Sequence, residues 1–400
     1  MKETYQLFVG TYSRPIRFGT GEILEGRGKG IHRYTFDAKT GTLYESTAPA
    51  PAENPSYLAL SFDKQYLYAV NELKEYKNKA GGAVSVYRIE SDGGLRFLNQ
   101  RPTGGADPCY VGLDRERRCL TVANFTGGSV CSYPLCADGS LGKKGVIIRH
   151  YGHGADPVRQ SAPHPHAAVW APDGKYVIVA DLGTDDLTVY RVDREKRVLC
   201  ADAVHSFFVG SRMGPRACVF DQRGERCYVL CEISSAVMTF SYMDGSLEFL
   251  QAVPSVAEPG GVPNSGADLH LAPDGRFLYV SNRGQDSITV FSVQADGTLQ
   301  LVQAVGCGGR TPRNFALGAC GKPGQRQYCR VQTGRPKRKA GAGKQSFCAD
   351  ACLPFVPGIG RDVLYTAKTR LKAMHAALLS ALFLYAITAE NILRWVKLYP

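Results

Sequence analysis

The chain of 400 residues carries 48 Lys and Arg against 36 Asp and Glu, a formal charge of +12, and 44 of its residues are glycine. With 21% charged side chains, this composition is that of a soluble globular protein and excludes a disordered, collagen-like or multi-pass membrane chain. The charge is uneven: residues 318–400 hold 14 basic and 3 acidic side chains, whereas residues 1–317 hold 34 and 33, so the body presents no basic face for nucleic acid.

The amino terminus, MKETYQLFVGTYS, has no apolar stretch long enough for a signal peptide, which predicts a cytoplasmic protein. YQLFVGTYS and GIHRYTFDAKTGTLYES then supply most of one repeat unit. A fuller unit begins at Pro55 (PSYLALSFDKQYLYAVNE, then GAVSVYRI), and others begin at Pro108, Pro165, Pro215 and Gly266. Each has an apolar run, a turn, a second apolar run, a polar pair and a third, alternating strand. Gly174, Gly224 and Gly275 keep the turn in register. A last copy opens at Thr311 with TPRNFAL and stops at Leu317. Thr188–Tyr190 and Thr289–Phe291 alternate with the period of a half-buried strand, and ESDGGL, CADGSL, MDGSL and QADGTL read as hairpin turns.

Short strands repeating at about 50 residues predict an all-β, seven-bladed β-propeller over residues 1–317, nearly free of helix, with its last blade incomplete. The body holds nine of the 13 cysteines, with no C-x-x-C pair and no close Cys/His cluster. Reduced thiols are therefore expected, and neither a metal nor a cofactor.

The repeat also maps a site, because equivalent positions of successive blades form rings around the axial channel. One ring is Ser56, Cys109, His166, Arg216, Ala267 and Arg313. A second, 16 residues further on, is Glu72, Phe125, Leu182, Glu232 and Arg283. Just before it stand Asn71, Asn124, Asp181, Cys231 and Asn282. Positions that only pack should stay apolar from blade to blade; these carry His, Arg and Glu. Of the pair His164 and His166, imidazole suits proton transfer near neutral pH. Metal ligation by the pair is disfavoured, because Asp181 and Glu232 are the only obvious carboxylate partners. Arg216 and Arg283 offer planar forks for phosphate or carboxylate. Glu232 should lie beside Arg216, ionised and able to activate water. Asn124, Asn282, Glu72, Asp181 and His164 are secondary candidates for substrate contacts. His270, near Asp268, falls on the apolar side of its strand and reads as structural.

FVGTYS, NPSYLALSFDKQYLYAVNE, HPHAAVWAPDGKYVIVADLGTD, GPRACVF, NSGADLHLAPDGRFLYVSNRG and GGRTPRNFAL, in that order over residues 5–317, resemble the lactonase family of seven-bladed propellers. That family includes bacterial 6-phosphogluconolactonases and carboxymuconate cyclases. The resemblance implies hydrolysis of a phosphorylated sugar δ-lactone, 6-phospho-glucono-1,5-lactone, a step of the pentose phosphate pathway. It places the family's His, Arg, Glu and second Arg on His166 (or His164), Arg216, Glu232 and Arg283. The family usually has His after GPR; here Ala217 stands there. Glu232 or His166 would take the proton of the attacking water. One Arg would meet the oxyanion and the other the phosphate. The rivals are a carboxymuconate-type cyclase, in which the Arg pair would grip carboxylates, and a non-catalytic propeller binding a protein partner. Nothing in the repeat sets an oligomeric state.

Residues 318–400 lose the alternation and turn basic. Their apolar run, Met374–Ile387, is about 14 residues, short of the roughly 20 that a membrane span needs, so no membrane association is expected. Reading the degenerate codons of Lys322–Gln332 one nucleotide out of register permits A-N-Q-D-S-D-N-I-V-V-F-K, which resembles the repeat strand SNRGQDSITVF. In the same frame Asp350–Leu353 permits M-P-V-C, like the closing strand of this family, and Ile359–Gly360 permits a stop. The segment 318–400 is therefore expected to be an aberrant, non-propeller tail produced by a frameshift, leaving unpaired strand edges.

Overall fold

The computed structural model describes residues 4–17, 21, 23–37, 42–116, 118–320, 327–336 and 393–395. Among them there is no helix, and the chain is a β-propeller. Six antiparallel four-stranded sheets follow one another. The first comprises Leu393–Trp395, Thr4–Thr11, Ile31–Asp37 and Thr42–Ala50. The second comprises Leu58–Leu60, Tyr66–Asn71, Ala83–Ile89 and Leu95–Pro102. The third runs Pro108–Leu113, Cys119–Asn124, Ser129–Pro134 and Val146–Arg149. The fourth runs Pro165–Trp170, Tyr176–Asp181, Asp186–Asp193 and Val198–Phe208. The fifth is Pro215–Phe220, Arg226–Cys231, Ala236–Met243 and Ser246–Pro254, and the sixth Ser265–Leu271, Phe277–Arg283, Ser287–Val293 and Leu299–Gly306. Gly309–Cys320 and Gln327–Pro336 then pair as a two-stranded sheet.

From the third sheet to the two-stranded one, each opening strand packs against the opening strand of the next sheet, so these strands ring the axis. The core is correspondingly divided into wedges between neighbouring sheets. Tyr68, Val84 and Val86 meet Val111, Leu120 and Val122 in one wedge, and Ile178, Leu187 and Val189 meet Val229, Met238 and Phe240 in another. Phe315 closes a wedge against Phe277, Tyr279, Ile288 and Val290 of the sixth sheet. The third strands of the fourth and sixth sheets are covered on both faces by their neighbours, which explains a difference from the sequence pattern. Thr188–Tyr190 and Thr289–Phe291 alternate like half-buried strands, yet all six residues are buried; the threonines face a polar layer instead of water, as where Thr289 Oγ1 accepts from Asn282 Nδ2 at 3.0 Å.

Turn glycines lock one blade to the next. Gly139 has φ 79° and Gly297 φ 87°, a region costly for residues with a Cβ. Their carbonyls accept the hydroxyls of Tyr68 (2.8 Å) and Tyr228 (3.0 Å) from the preceding blade. A Cβ on Gly139 would fall 2.3 Å from the Tyr66 ring.

Two segments beyond residue 317 join propeller strands: Gln327–Pro336 pairs with Gly309–Cys320, and Leu393–Trp395 with Thr4–Thr11. The reading of residues 318–400 as a non-propeller tail does not anticipate these two pairings. The apolar run 374–387 lies outside the described residues. Among the described residues no helix is long and apolar enough to cross a membrane.

Candidate active site

The opening strands of the third to sixth sheets share an irregularity at their second or third residue. The ladder skips a residue between Pro108 and Tyr110, Pro165 and Ala167, Pro215 and Ala217, and Gly266 and Asp268. The skipped residues are Cys109, His166, Arg216 and Ala267, four of the six members of the first predicted ring. A bulge frees one residue from the ladder and re-aims its side chain. Here the effect is a chain of contacts from blade to blade. His166 Nδ1 lies 3.8 Å from Cys109 Sγ, its Nε2 meets Arg216 Nη1, and Arg216 Nε donates to Ala267 O at 2.6 Å.

The second ring meets the first at Glu232. This residue follows the strand Arg226–Cys231 and is held by its N–H on Gly214 O at 2.7 Å. Its Oε2 accepts Arg216 Nη1, and Arg283 Nη2 at 2.8 Å; its Oε1 accepts Arg159 Nη2. Arg283, at the end of Phe277–Arg283, also donates to Gly266 O at 2.9 Å. His166, Arg216, Glu232 and Arg283 therefore converge in one cluster.

Three guanidiniums surround one carboxylate that is 3% exposed. Burial by itself would raise the proton affinity of Glu232, but Arg283, Arg216 and Arg159 outweigh it and hold the carboxyl well below its ordinary range. Burial lowers Arg283; Glu232 opposes that shift, while Arg313 and Arg159 add to it. A guanidinium only donates, so His166 Nε2 is the acceptor toward Arg216 Nη1.

The remaining candidates lie elsewhere. His164 stacks on Phe125 (4.4 Å, 11°) and bonds Phe125 O through Nδ1 at 2.9 Å; the same Phe125 ring presents an edge to His166. His164 thus borders the cluster. Glu72 accepts the Tyr12 hydroxyl at 2.8 Å. Asn124, Asp181 and Asn282 do not point into the cluster. Each is fully buried and bonded inside the blade framework: Asn124 to Thr103 O and Ser129, Asp181 to His150 Nδ1 and the His164 and Gly183 N–H groups, Asn282 to Ser255, Thr289 and Asn264. The cause is strand geometry, because consecutive residues at the end of a strand face opposite ways. His270 bonds Asp268 at 2.9 Å and meets the Phe315 ring edge-on. Ala217 packs in the wedge between the fifth and sixth sheets. Arg159 belongs to no repeat position and was not legible in the periodicity; the single cue is its place in DPVRQS, just ahead of His164. Among the described residues no group of three or more His, Cys, Asp or Glu is placed to hold a metal ion.

The family model described as "Lactonase, 7-bladed beta-propeller" matches residues 6–322. The chain belongs to the lactonase family. Among curated members it is 34% identical over 314 residues to the 6-phosphogluconolactonase of Bacillus subtilis, covering 78% of this chain and 84% of that one. It is 31% identical over 303 residues to the 6-phosphogluconolactonase of Formosa agariphila, covering 74% and 84%. The periplasmic gluconolactonase of Pseudomonas aeruginosa superposes with a TM-score of 0.70 at 34% identity, over 81% of this chain and 88% of the other. Within this lactonase scaffold the cluster is a buried, net positive site with one imidazole, suited to an anionic substrate and to proton transfer.

Proposed function

We propose that the chain hydrolyses a phosphorylated sugar δ-lactone, 6-phospho-glucono-1,5-lactone, to the open acid. The observation that carries this reading is the cluster itself, in which His166 Nε2 and Glu232 share the Arg216 guanidinium at the channel. A δ-lactone is already reactive, so water can be the nucleophile. Water adds to the carbonyl carbon as His166 Nε2 gives up its hydrogen bond from Arg216 Nη1 and takes the proton, and the oxyanion forms against the Arg216 guanidinium. Collapse breaks the ring C–O bond, and His166 returns the proton to the departing alkoxide. Glu232 is too weak a base to compete with His166, since three guanidiniums keep it ionised. Its part is to orient Arg216 and Arg283.

In the same reading, residues 1–317 form the working domain, and the sheet Gly309–Cys320/Gln327–Pro336 is the incomplete seventh blade. The setting is the cytoplasm, supported by nine described cysteines that are all free thiols.

The test is hydrolysis of freshly made 6-phosphogluconolactone by purified protein, with spontaneous hydrolysis subtracted. A rate above background that His166→Ala abolishes is the expected result. No rate above background for the wild-type chain overturns the proposal. Preferential turnover of an unphosphorylated dicarboxylate would favour the cyclase reading instead.

A further inference from the structure

Arg159 reaches the cluster from the loop joining the third and fourth sheets, and that loop is built to hold it. Asp156 Oδ1 accepts the N–H groups of Val158 and Arg159, each at 3.0 Å, and the Asp156 N–H donates to Gln160 Oε1 at 3.0 Å. Gln160 is fully buried, and its Nε2 donates to Leu182 O at 2.9 Å. Arg212, ahead of the fifth sheet, ties down Asp156 Oδ2 at 3.1 Å. The backbone of Arg159 is therefore fixed on both sides before its side chain enters the site.

The three guanidiniums on Glu232 are not equivalent. Arg216 is the deepest, with its side chain 5% exposed, and its Nε and Nη1 are committed to Ala267 O, His166 and Glu232. Arg283 is 13% exposed and Arg159 19%. In both of these the Nε–H is buried with no hydrogen-bond partner. Buried donors left unmatched are costly, and a pair on two guanidiniums flanking one carboxylate calls for an acceptor. Three cations on one carboxylate also leave the site with unneutralised positive charge. A dianion with several acceptor oxygens answers both deficits. Glu232 holds Arg159 on Oε1 and Arg216 on Oε2, so its carboxylate separates the outer cation from the one beside His166. A substrate with its phosphate and its reacting carbonyl at opposite ends fits that division.

We propose that Arg159 is the residue that selects phosphorylated over unphosphorylated lactones, taking the substrate phosphate together with Arg283 at the outer side of Glu232 while Arg216 and His166 serve the carbonyl. This rests on the lactonase reading above. It differs from a purely structural role, in which Arg159 would only neutralise Glu232.

The test compares Arg159→Gln and Arg159→Lys with the wild type on 6-phosphogluconolactone and on glucono-1,5-lactone, and measures inorganic phosphate binding by thermal shift. A lost charge-assisted contact to phosphate is worth about 10- to 150-fold. The expected result for Arg159→Gln is a fall in kcat/KM, carried mainly by KM, that is at least about 30-fold larger on the phosphorylated lactone. Arg159→Lys should fall between, because it keeps the charge without the fork. Inorganic phosphate should stabilise the wild type and not Arg159→Gln. Parallel losses on both lactones, or an undiminished phosphate shift in Arg159→Gln, would overturn the proposal. If the wild type turns over neither lactone, the lactonase reading fails, and the phosphate shift still decides whether Arg159 binds the dianion.

Discussion

Glu232 sits with almost no access to water and three guanidiniums against its two oxygens. Such a group is a structural charge before it is a chemical one. Removing one partner of a buried ion pair costs about 3–5 kcal/mol, because the other is left uncompensated. Glu232→Gln should therefore lower the melting temperature as well as turnover, whereas a simple catalytic base could be neutralised with little effect on stability. The pH dependence follows from linkage. The folded pKa of Glu232 lies below the unfolded value of 4.5, so the unfolded chain takes up the proton first. Its contribution is fully present above about pH 4.5 and is lost as pH falls toward the folded pKa. Melting curves of the wild type and Glu232→Gln should converge on acidification below that point; a constant gap down to pH 3 contradicts the account. At the same scale, Arg216→Ala and Arg283→Ala should each reduce lactone turnover about 10- to 150-fold, the worth of a charge-assisted contact. Glu72→Ala should cost less, since Glu72 is engaged with Tyr12. Unchanged rates in both Arg variants would remove these residues from the site.

At the scale of the strand, one position separates a residue of the cluster from a residue of the framework. Arg283 faces the cluster; Asn282, its neighbour, has its side-chain amide bonded to Ser255, Asn264 and Thr289. Asn282→Ala leaves these buried groups unsatisfied, at about 1–3 kcal/mol. It should lower the melting temperature and leave lactone KM close to wild type. A large rise in KM with unchanged stability would return Asn282 to the substrate site. This neighbour relation marks how far the sequence could be read. The repeat spacing of 16 residues places Glu232 beside Arg216, where the structure has it, and the variation of residue type within a ring singles out His166 and Arg283, whose side chains meet the same pair. Which of two adjacent polar positions turns inward depends on the ladder register, and the bulges at Cys109, His166, Arg216 and Ala267 set that register without a signature in composition. Arg159 escaped because it comes from a connection between blades, where a repeat carries no information. The buried threonines misled in the opposite sense: Thr289 looks solvent-facing in the sequence and instead serves Asn282.

A propeller is stabilised by wedges between neighbouring sheets, so each blade depends on the completeness of the next. Phe315 fills its wedge against the sixth sheet as the repeat demands, and the repeat ends two residues later at Leu317. The family match ends at residue 322. From Gly309 a two-stranded sheet stands where the other six have four strands, and the first sheet draws its additional strand from Leu393–Trp395. The sequence beyond Leu317 has no repeat character, yet the codons of Lys322–Gln332 one nucleotide out of register permit the missing strand. We therefore expect the gene to contain a frameshift near the codon for Leu317. Nucleotide sequencing across that codon should reveal A-N-Q-D-S-D-N-I-V-V-F-K in the shifted frame. A chain rebuilt in that frame should melt at a higher temperature than the 400-residue chain and aggregate less, because paired edges no longer template association. A gain of about 1 kcal/mol shifts the melting temperature by only a few degrees in a protein of this size, whereas restoring a whole strand to one sheet should exceed that several-fold. An unbroken frame whose shifted reading lacks the strand, together with a soluble and active 400-residue product, would show that residues 318–400 are a genuine part of the working protein.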